Sequence, residues 1–555
     1  MNPSTTAAIL LRGYARTCRA RWPNLLKAGS ARRAHSPGVR AGKAESGLVR
    51  SGLRNGAEMH WSTAGTATLE RVDDVNPTAA GDTPTMRPPW SADHGEDALA
   101  DSLGRGADVI SASRRVVLPP QTPLRRRILK HPHLRHHNRL VAGVVTANLM
   151  FLGYGLTHGL WWSSHGGALK VIVIAAQVNV ALAVLLREQH VINFLYRLAT
   201  RAPTTWPLKL RWTLSKVYHF GGLHVGAAVS GTVWYLIFVG SLTYQTMRDI
   251  GKAPAAILVV SYASATLLVV MVATALPSVR ARVHDSFELT HRFAGWIALV
   301  LVWASTVLFV SSQRGGASVT FALLTAPTVW MLVVTTACIA LPWLRLGKVP
   351  ITVDRPSSQV ALVGFNHVVT PFIGSVRPIS RHPLLGWHSF ATIPAPGRTL
   401  SGYRMAISRV GDWTGAFIDD PPSQVWVRGI PIAGMANISG LFKKVVYVTT
   451  GSGIGPTLPH LLANDMPSHL VWVTRSPRRT YGDALVDEIL AVQPDATIWN
   501  TDKHGKPDML RLAYAAYSSS NAEAVICIAN KEVTWQIVYG LESRGIPACG
   551  PIWDS

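Results

Sequence analysis

Hydrophobic positions change rhythm twice along this chain. Between about 140 and 341 they gather into six long runs, near 140–162, 169–187, 217–240, 253–276, 292–312 and 319–341. Each run is long enough to cross a bilayer as a helix. From about 349 the runs shorten and alternate with polar residues, as in "VPITVD", "SQVALVGF", "GYRMAISRV" and "QVWVRGI". Pro/Gly-rich turns separate them, and this spacing predicts a small β-barrel. From 444 the period shifts again. "KVVYVTT", "HLVWVTRS", "ATIWNT", "AVICIAN" and "IPACGPI" read as strands, with helical stretches such as "YGDALVDEIL" and "PDMLRLAYAAY" between them. Alternation of β and α at this pitch predicts a parallel sheet with covering helices. The expected fold is a multi-domain membrane protein. A disordered tail (1–138) precedes a six-helix transmembrane bundle (139–345), a β-barrel (346–440) and an α/β parallel-sheet domain (441–555).

Charge sharpens this picture. The net charge of +24 invites a nucleic-acid reading. The cations, however, cluster beside the apolar runs and no recognition motif accompanies them, so nucleic acid is not expected as a partner. Basic stretches precede the first run, separate the second from the third (Arg187 to Lys216), and separate the fourth from the fifth (Arg280, Arg282, Arg292). The other connections carry few charges. Positive-inside bias then places both termini in the cytosol, with the lipid bilayer as a partner. Residues 1–44 contain no Asp or Glu, which fits either an organelle transit segment or a disordered tail. Residues 112–139 read as a basic anchor at a membrane surface. The cysteines, Cys18, Cys338, Cys527 and Cys549, lie far apart and show no metal-ligand spacing.

Three groups of residues carry candidate chemistry. "TTGSGIGPT" lies at the carboxyl end of the first parallel strand, so Thr450, Gly451, Gly453, Gly455 and Pro456 are placed to receive a pyrophosphate ahead of a helix N-terminus. The next strand ends in "TRSPRR". Arg475, Arg478 and Arg479 fall where the ribose 2′ substituent of a dinucleotide would lie, and basic residues there favour NADPH over NADH. His224 and His291 sit just inside the third and fifth runs, where two imidazoles at one depth are possible axial ligands of a haem. Hydrogen bonds between helices are the alternative. No histidines recur deeper in either run, so a two-haem wire is not expected.

"GWHSFATIPAP", "RVGDWTG" and "GSGIGP", in this order after six apolar runs, resemble the ferredoxin-reductase-type module of the ferric reductase and NADPH oxidase superfamily. Together with "KVYHFGGLHVGAAVSGTVWY", "ELTHRFAGW", "DKHGKPDM" and "RGIPACGPIWDS", they resemble the TmpA-type fungal transmembrane flavoproteins and the reductase-like tails of some adenylate-forming enzymes. The resemblance implies FAD on the barrel, held by His388, Ser389, Phe390, Thr392, Arg409, Gly411 and Thr414. Ala391 stands where the family carries a hydroxyl, and Thr392 is the nearest replacement. It implies NADPH on the parallel sheet, and a C-terminal aromatic, Trp553 with Cys549 nearby, at the site of hydride transfer. It implies NAD(P)H-dependent oxidoreduction toward an unknown acceptor, a developmental signalling role, and the plasma membrane, although the Arg-rich start keeps a mitochondrial membrane open. A flavin-based sensor without turnover, or a scaffold without cofactor, is the alternative.

Overall fold

The protein is described by a computed structural model over residues 111, 115–161, 167–248, 250, 254–282, 284–395 and 401–551. The expectations for residues 1–110 and for Trp553 lie outside the described residues.

Among the described residues six helices are long and apolar enough to cross a membrane: His136–Thr157, Gly167–Leu185, Gly221–Met247, Ala255–Thr274, Ser286–Ser312 and Pro327–Arg345. Each overlaps one of the six apolar runs. The first ends at a residue with φ +68, Gly159, a conformation that costs glycine little. The sixth run is not one helix. It breaks into Val319–Thr325 and Pro327–Ala340 at Ala326, whose ψ is 118. Pro327 has no N–H to give and forces the residue before it out of the helical region. Small residues bring the helices together: a Cβ on Gly222 would stand 2.3 Å from the His137 carbonyl oxygen, and one on Gly226 2.9 Å from Val144. Deeper in the bundle several polar side chains bond one another. Gln177 donates to Thr306 at 2.7 Å, and Ser305 meets Ser261 at 3.0 Å and Tyr235 at 3.4 Å.

The predicted barrel is two sheets with no continuous ladder around them. β2 (Thr352–Ser357), β3 (Val360–Val369), β7 (Ser401–Ser408) and β6 (Ile393–Pro394) form one, in the order β2-β3-β7-β6. The other is ordered β1-β8-β4-β5, from Gly347–Pro350, Gln424–Val427, Ser375–Ser380 and His388–Ala391, with β9 (Ile432–Ala433) on β4. The chain changes sheet at Ile351, whose N–H bonds Ser423, and at Thr392, whose N–H bonds Ser375. Pro350 and Pro394, each beside a crossing point, have no N–H with which to extend a ladder. The sheets close face to face over Val363, Phe365, Met405 and Ile407 on one side and Ile379, Val425 and Val427 on the other.

The second sheet-containing lobe matches its sequence pattern. β10 (Val445–Thr450), β11 (Ser468–Thr474), β12 (Thr497–Asn500), β13 (Ala524–Ile528) and β14 (Ala548–Cys549) form a parallel sheet in the order β12-β11-β10-β13-β14. Helices Asp483–Val492, Met509–Ser519 and Lys531–Glu542 connect its strands. The two lobes are joined by a hydrogen bond from the Ser357 hydroxyl to the Thr480 carbonyl (2.6 Å) and by the Arg404–Glu488 ion pair (2.9 Å).

Two segments that read as connection and tail are structural. Between the second and third long helices the chain forms Gln189–Thr200, Leu208–Leu214 and the 3₁₀ turn Ser215–His219. Ile192, Tyr196 and Ala202 enter the same core as Tyr447, Ile454 and Trp472. Before the first long helix, part of the expected disordered tail is instead docked. Thr122 N–H bonds the Ser543 carbonyl at 2.8 Å, and Arg544 Nε donates to the Pro119 carbonyl at 2.9 Å. The reason is local: the Pro-containing stretch 119–123 is extended and offers backbone groups that the end of the Lys531–Glu542 helix satisfies.

Candidate functional site

β5 presents its alternate residues to opposite faces, which divides the set expected from sequence. His388 and Phe390 share a face, and Phe390 pairs across the ladder with Arg377. Trp413, from the start of the Asp412–Asp419 helix, lies over both, with ring centroids 4.3 Å from His388 and 6.1 Å from Phe390. Gly386, at φ +59, gives the preceding loop room, since a Cβ there would stand 3.1 Å from the indole. The result is an aromatic wall with one cation beside it. Ser389 is exposed on the other face. Thr392 is buried, and its hydroxyl is 2.6 Å from Ser375 Oγ, so it does not replace the hydroxyl missing at Ala391. The cause is the sheet crossing at that residue. Arg377 was not singled out in the sequence, and Trp413 stood there only as part of "RVGDWTG", without a role of its own. Only the strand register and the helix that returns across β5 bring them to His388, and the register leaves no local signal.

The expected pyrophosphate group has internal partners. Thr414 Oγ1 accepts from the Val410 and Gly411 amides at 3.0 and 3.1 Å, capping the Asp412–Asp419 helix. Arg409 donates through Nε to the Ser358 carbonyl (2.9 Å) and through both terminal nitrogens to Asp419. That guanidinium holds the Asp419 carboxyl below its usual range. Both side chains are solvent-accessible, so the pair is exchangeable for a ligand phosphate at little cost. The residues therefore fit a flavin in part: a planar apolar wall, the cation Arg377, and an exposed arginine at a helix start.

The glycine-rich turn differs from its sequence reading in one respect. Gly451, at φ +48, turns the chain out of β10, and Trp472 Nε1 donates to its carbonyl at 3.1 Å. Gly453 is required by close approach, since a Cβ there would lie 2.0 Å from the Ile528 carbonyl oxygen. The segment Gly451–Ile454 is a 3₁₀ turn and the helix starts only at Leu458, running to Ala463. A helix this short, with Thr450, Gly455 and Pro456 ahead of it, supplies little dipole. The turn's own backbone is what faces the lobe junction, with Gly455 beside the Ala406 carbonyl of β7. Among the arginines after β11, Arg475 and Arg479 are exposed. Arg478 pairs with Asp487 (2.6 Å) and Asp483 (3.0 Å), which together stabilise its charge.

Cys549 is displaced from the role expected of it. It is fully buried, 3.2 Å from Ser215 Oγ and 3.6 Å from Lys216 Nζ, in the seam with the inter-helix segment. Lys216 also bonds Glu542 at 2.6 Å and the Ala548 carbonyl at 2.8 Å. Burial opposes its charge, yet Cys549 and Glu542 beside it hold the ammonium on. A second ion pair, Arg211 to Glu523 at 2.7 and 3.1 Å, closes the same seam.

His224 Nδ1 lies 2.8 Å from the Ala183 carbonyl, to which it donates, leaving Nε2 as the lone-pair nitrogen. His291 Nδ1 is buried without a hydrogen-bond partner. Among the described residues no group of three or more His, Cys, Asp or Glu side chains is placed to hold a metal ion.

Comparison with known proteins adds the following. Residues 435–555 match the family model described as the C-terminal domain of adenylate-forming reductase 03009. Two proteins of Coprinopsis cinerea are similar: adenylate-forming reductase 03009, 41% identical over 385 residues (69% of this chain, 37% of the relative), and adenylate-forming reductase 06235, 38% identical over 431 residues (77% and 41%). The chain thus spans about two fifths of the length of these relatives. Among solved structures, a flavohemoglobin from Malassezia yamatoensis with bound FAD and heme aligns at 14% identity over 70% of this chain and 97% of its own, with a TM-score of 0.33. A ferredoxin NADP+ reductase from Neisseria gonorrhoeae with bound FAD and NADP aligns at 13% identity over 38% and 98%, with a TM-score of 0.31.

Proposed function

We propose that this chain is a membrane flavoprotein oxidoreductase that uses NADPH and FAD to reduce an acceptor at the membrane. The observation that carries the reading is the junction of the lobes. There the aromatic wall of His388, Phe390 and Trp413 belongs to a two-sheet lobe whose β7 touches the glycine-rich turn of a parallel sheet. Similarity of the C-terminal residues to a reductase domain supports it, and the six apolar helices with basic flanks support the membrane. Bound FAD would supply a two-electron carrier, taking hydride from the nicotinamide and releasing electrons onward. The chain's own part is positional. His388, Phe390 and Trp413 offer flat faces to a ring, and Arg377 places positive charge beside it. Arg409 turns from Asp419 to a phosphate, and Gly451 and Gly453 let backbone approach the dinucleotide. The acceptor in this proposal stands near the basic ends of the helix bundle. His224 and His291 are the residues that would hold a single haem, which would serve as a one-electron carrier; the unpartnered Nδ1 of His291 favours this form. A second haem deeper in the bundle is disfavoured by the hydroxyls of Tyr235, Ser261 and Ser305 there.

A TmpA-like signalling protein that binds flavin without turnover is the second reading. It is favoured by the commitment of the Thr392 hydroxyl to Ser375, which removes a polar contact from the groove. The test is the absorbance of this chain purified from membranes. A flavin band is expected, with NADPH-driven bleaching and dye reduction if the chain turns over. His388→Ala and Phe390→Ala are each expected to lower flavin occupancy, and unchanged occupancy in both removes the groove from consideration.

A further inference from the structure

The loop between β4 and β5, residues 381–387, carries two large apolar side chains in the open. Leu384 and Leu385 are 45% and 44% exposed, although the loop itself is tied down. Its backbone oxygens are answered one after another. The Pro383 carbonyl accepts from Trp387 Nε1 at 3.2 Å, the Leu384 carbonyl from Arg292, and the Leu385 carbonyl from the Ser380 hydroxyl. The His382 amide donates to that same hydroxyl at 3.1 Å. A loop tip in water has no need of such partners, because solvent satisfies its carbonyls. Three consecutive carbonyls bonded within the protein, in a loop with two uncovered leucines, suit a medium that offers no hydrogen bonds.

The loop also lies at one end of the helix bundle. Arg292, which reaches its backbone, sits near the start of the span-length helix Ser286–Ser312. Trp387, at the loop's end, meets Trp343 with ring centroids 6.2 Å apart, and Trp343 meets Trp296 at 5.2 Å. The Arg428 guanidinium packs on both Trp343 and Trp387, 4.4 Å from each ring. Indoles gathered at a helix end are the side chains that settle at the boundary of hydrocarbon and water. Leu344 follows Trp343 in the span-length stretch Pro327–Arg345 and is 79% exposed.

We propose that Leu384 and Leu385, together with Leu344, insert into the interfacial layer of a phospholipid bilayer, so that the two-sheet lobe rests on lipid as well as on the bundle. Lipid is the occupant, not a protein partner, because the leucines lie at the level where the apolar surface of the spans ends and their carbonyls need no solvent. The inference rests on the membrane reading above. Because His388 follows the loop directly, the lipid contact would fix one edge of the flavin groove relative to the bundle.

The experiment attaches an environment-sensitive fluorophore to cysteines introduced singly into the whole chain: Leu344→Cys, Leu384→Cys and Leu385→Cys. Leu149→Cys, at a 60% exposed position of the first span-length helix, reads the membrane proposal, and Lys503→Cys, exposed after β12, reads the aqueous side. All these positions are exposed, so labelling leaves the core intact. The unsubstituted chain, labelled in parallel, corrects for the native cysteines. The samples are nanodiscs of phosphatidylcholine carrying a spin label either near the headgroup or near the chain end. Labels at Leu344, Leu384 and Leu385 are expected to emit at shorter wavelength than the label at Lys503, with stronger quenching by the shallow spin label. Leu149 should be quenched more by the deep one, and Lys503 by neither. Quenching at Leu149 without quenching at Leu384 and Leu385 overturns the insertion and leaves the membrane proposal standing. No quenching at Leu149 removes both. A blue shift at Leu384 and Leu385 without quenching puts protein against them and overturns the lipid assignment, as does equal quenching at Lys503.

Discussion

The parallel sheet has one closed edge and one open end. At β14 the closed edge is gripped by the inter-helix segment through Lys216–Glu542 and Arg211–Glu523, and Lys216 and Glu542 are 7% and 8% exposed. At the carboxyl ends of β10 and β11 the charged residues are open: Arg475 and Arg479 are exposed, and Arg478 pairs with an Asp483 that is 75% exposed. Both regions are rich in arginine and carboxylate, yet they do different work. A buried pair must form in folding, because neither partner has water to fall back on. An exposed pair holds its arginine loosely, in a place a ligand can reach. Burial therefore separates the charges that build this protein from those available to a substrate.

The largest test of that contrast is Glu542→Gln. It leaves the Lys216 ammonium buried against Cys549 and a carbonyl, without its carboxylate. A loss of about 3–5 kcal/mol is expected in denaturant unfolding. A loss near the roughly 0–1 kcal/mol of surface pairs would abolish the distinction between the two regions. Because Ile192, Tyr196 and Ala202 pack into the same core, the two sheet-containing lobes expressed without residues 189–219 are expected to melt lower than within the whole chain.

Next in size is the Arg211–Glu523 pair, which titrates. Arg211 and the Lys443 amide hold the Glu523 carboxyl below its usual range. A carboxyl with a lowered native pKa gives its stabilisation in full above the unfolded value of about 4.3, and loses it as pH falls through the native value. Glu523→Gln is thus expected to cost about 2 kcal/mol at neutral pH. The difference from wild type should shrink steadily below about pH 4. A gap that stays constant in acid would mean that the hydrogen bonds, not the charge, hold this seam.

Much of this architecture was legible in the residues. Apolar runs are their own signal, and five of the six became single helices; the sixth broke because Pro327 overrides hydrophobicity. The parallel sheet was readable since each strand is followed by a helix and a turn. The two-sheet lobe was misread as a barrel because alternation reports strands but not which sheet each joins, and the crossings at Ile351 and Thr392 look like ordinary strand residues. The candidate site was half visible. His388 and Phe390 follow from a motif, whereas Arg377 and Trp413 arrive by register and by a helix that folds back. Hardest to see was the seam, because Lys216 and Glu542 lie 326 residues apart in the chain.

The smallest expected effect asks whether the open end is as available as its exposure implies. The three arginines after β11 are not equivalent. Arg478 is shared between Asp483 and Asp487, so its positive field at a ligand is largely answered within the chain. Arg475 follows the last residue of β11, the position from which a parallel-sheet domain discriminates the ribose 2′ substituent. It stands beside Ser476, whose φ of +28 is strained for a serine and is held by Asn500 and Asp502. That anchored turn fixes where the Arg475 backbone leaves the strand, and its side chain is in water. Arg475→Ala is accordingly expected to reduce the preference for NADPH over NADH roughly ten-fold, the scale of one charge-assisted contact of about 1.4 kcal/mol, with Arg478→Ala changing it less. The ratio of the two nucleotides' dissociation constants, measured for both variants, decides it. If Arg478→Ala shifts the ratio more, the carboxylates around Arg478 aim it at the ligand instead of neutralising it, and exposure alone would no longer identify the available charge.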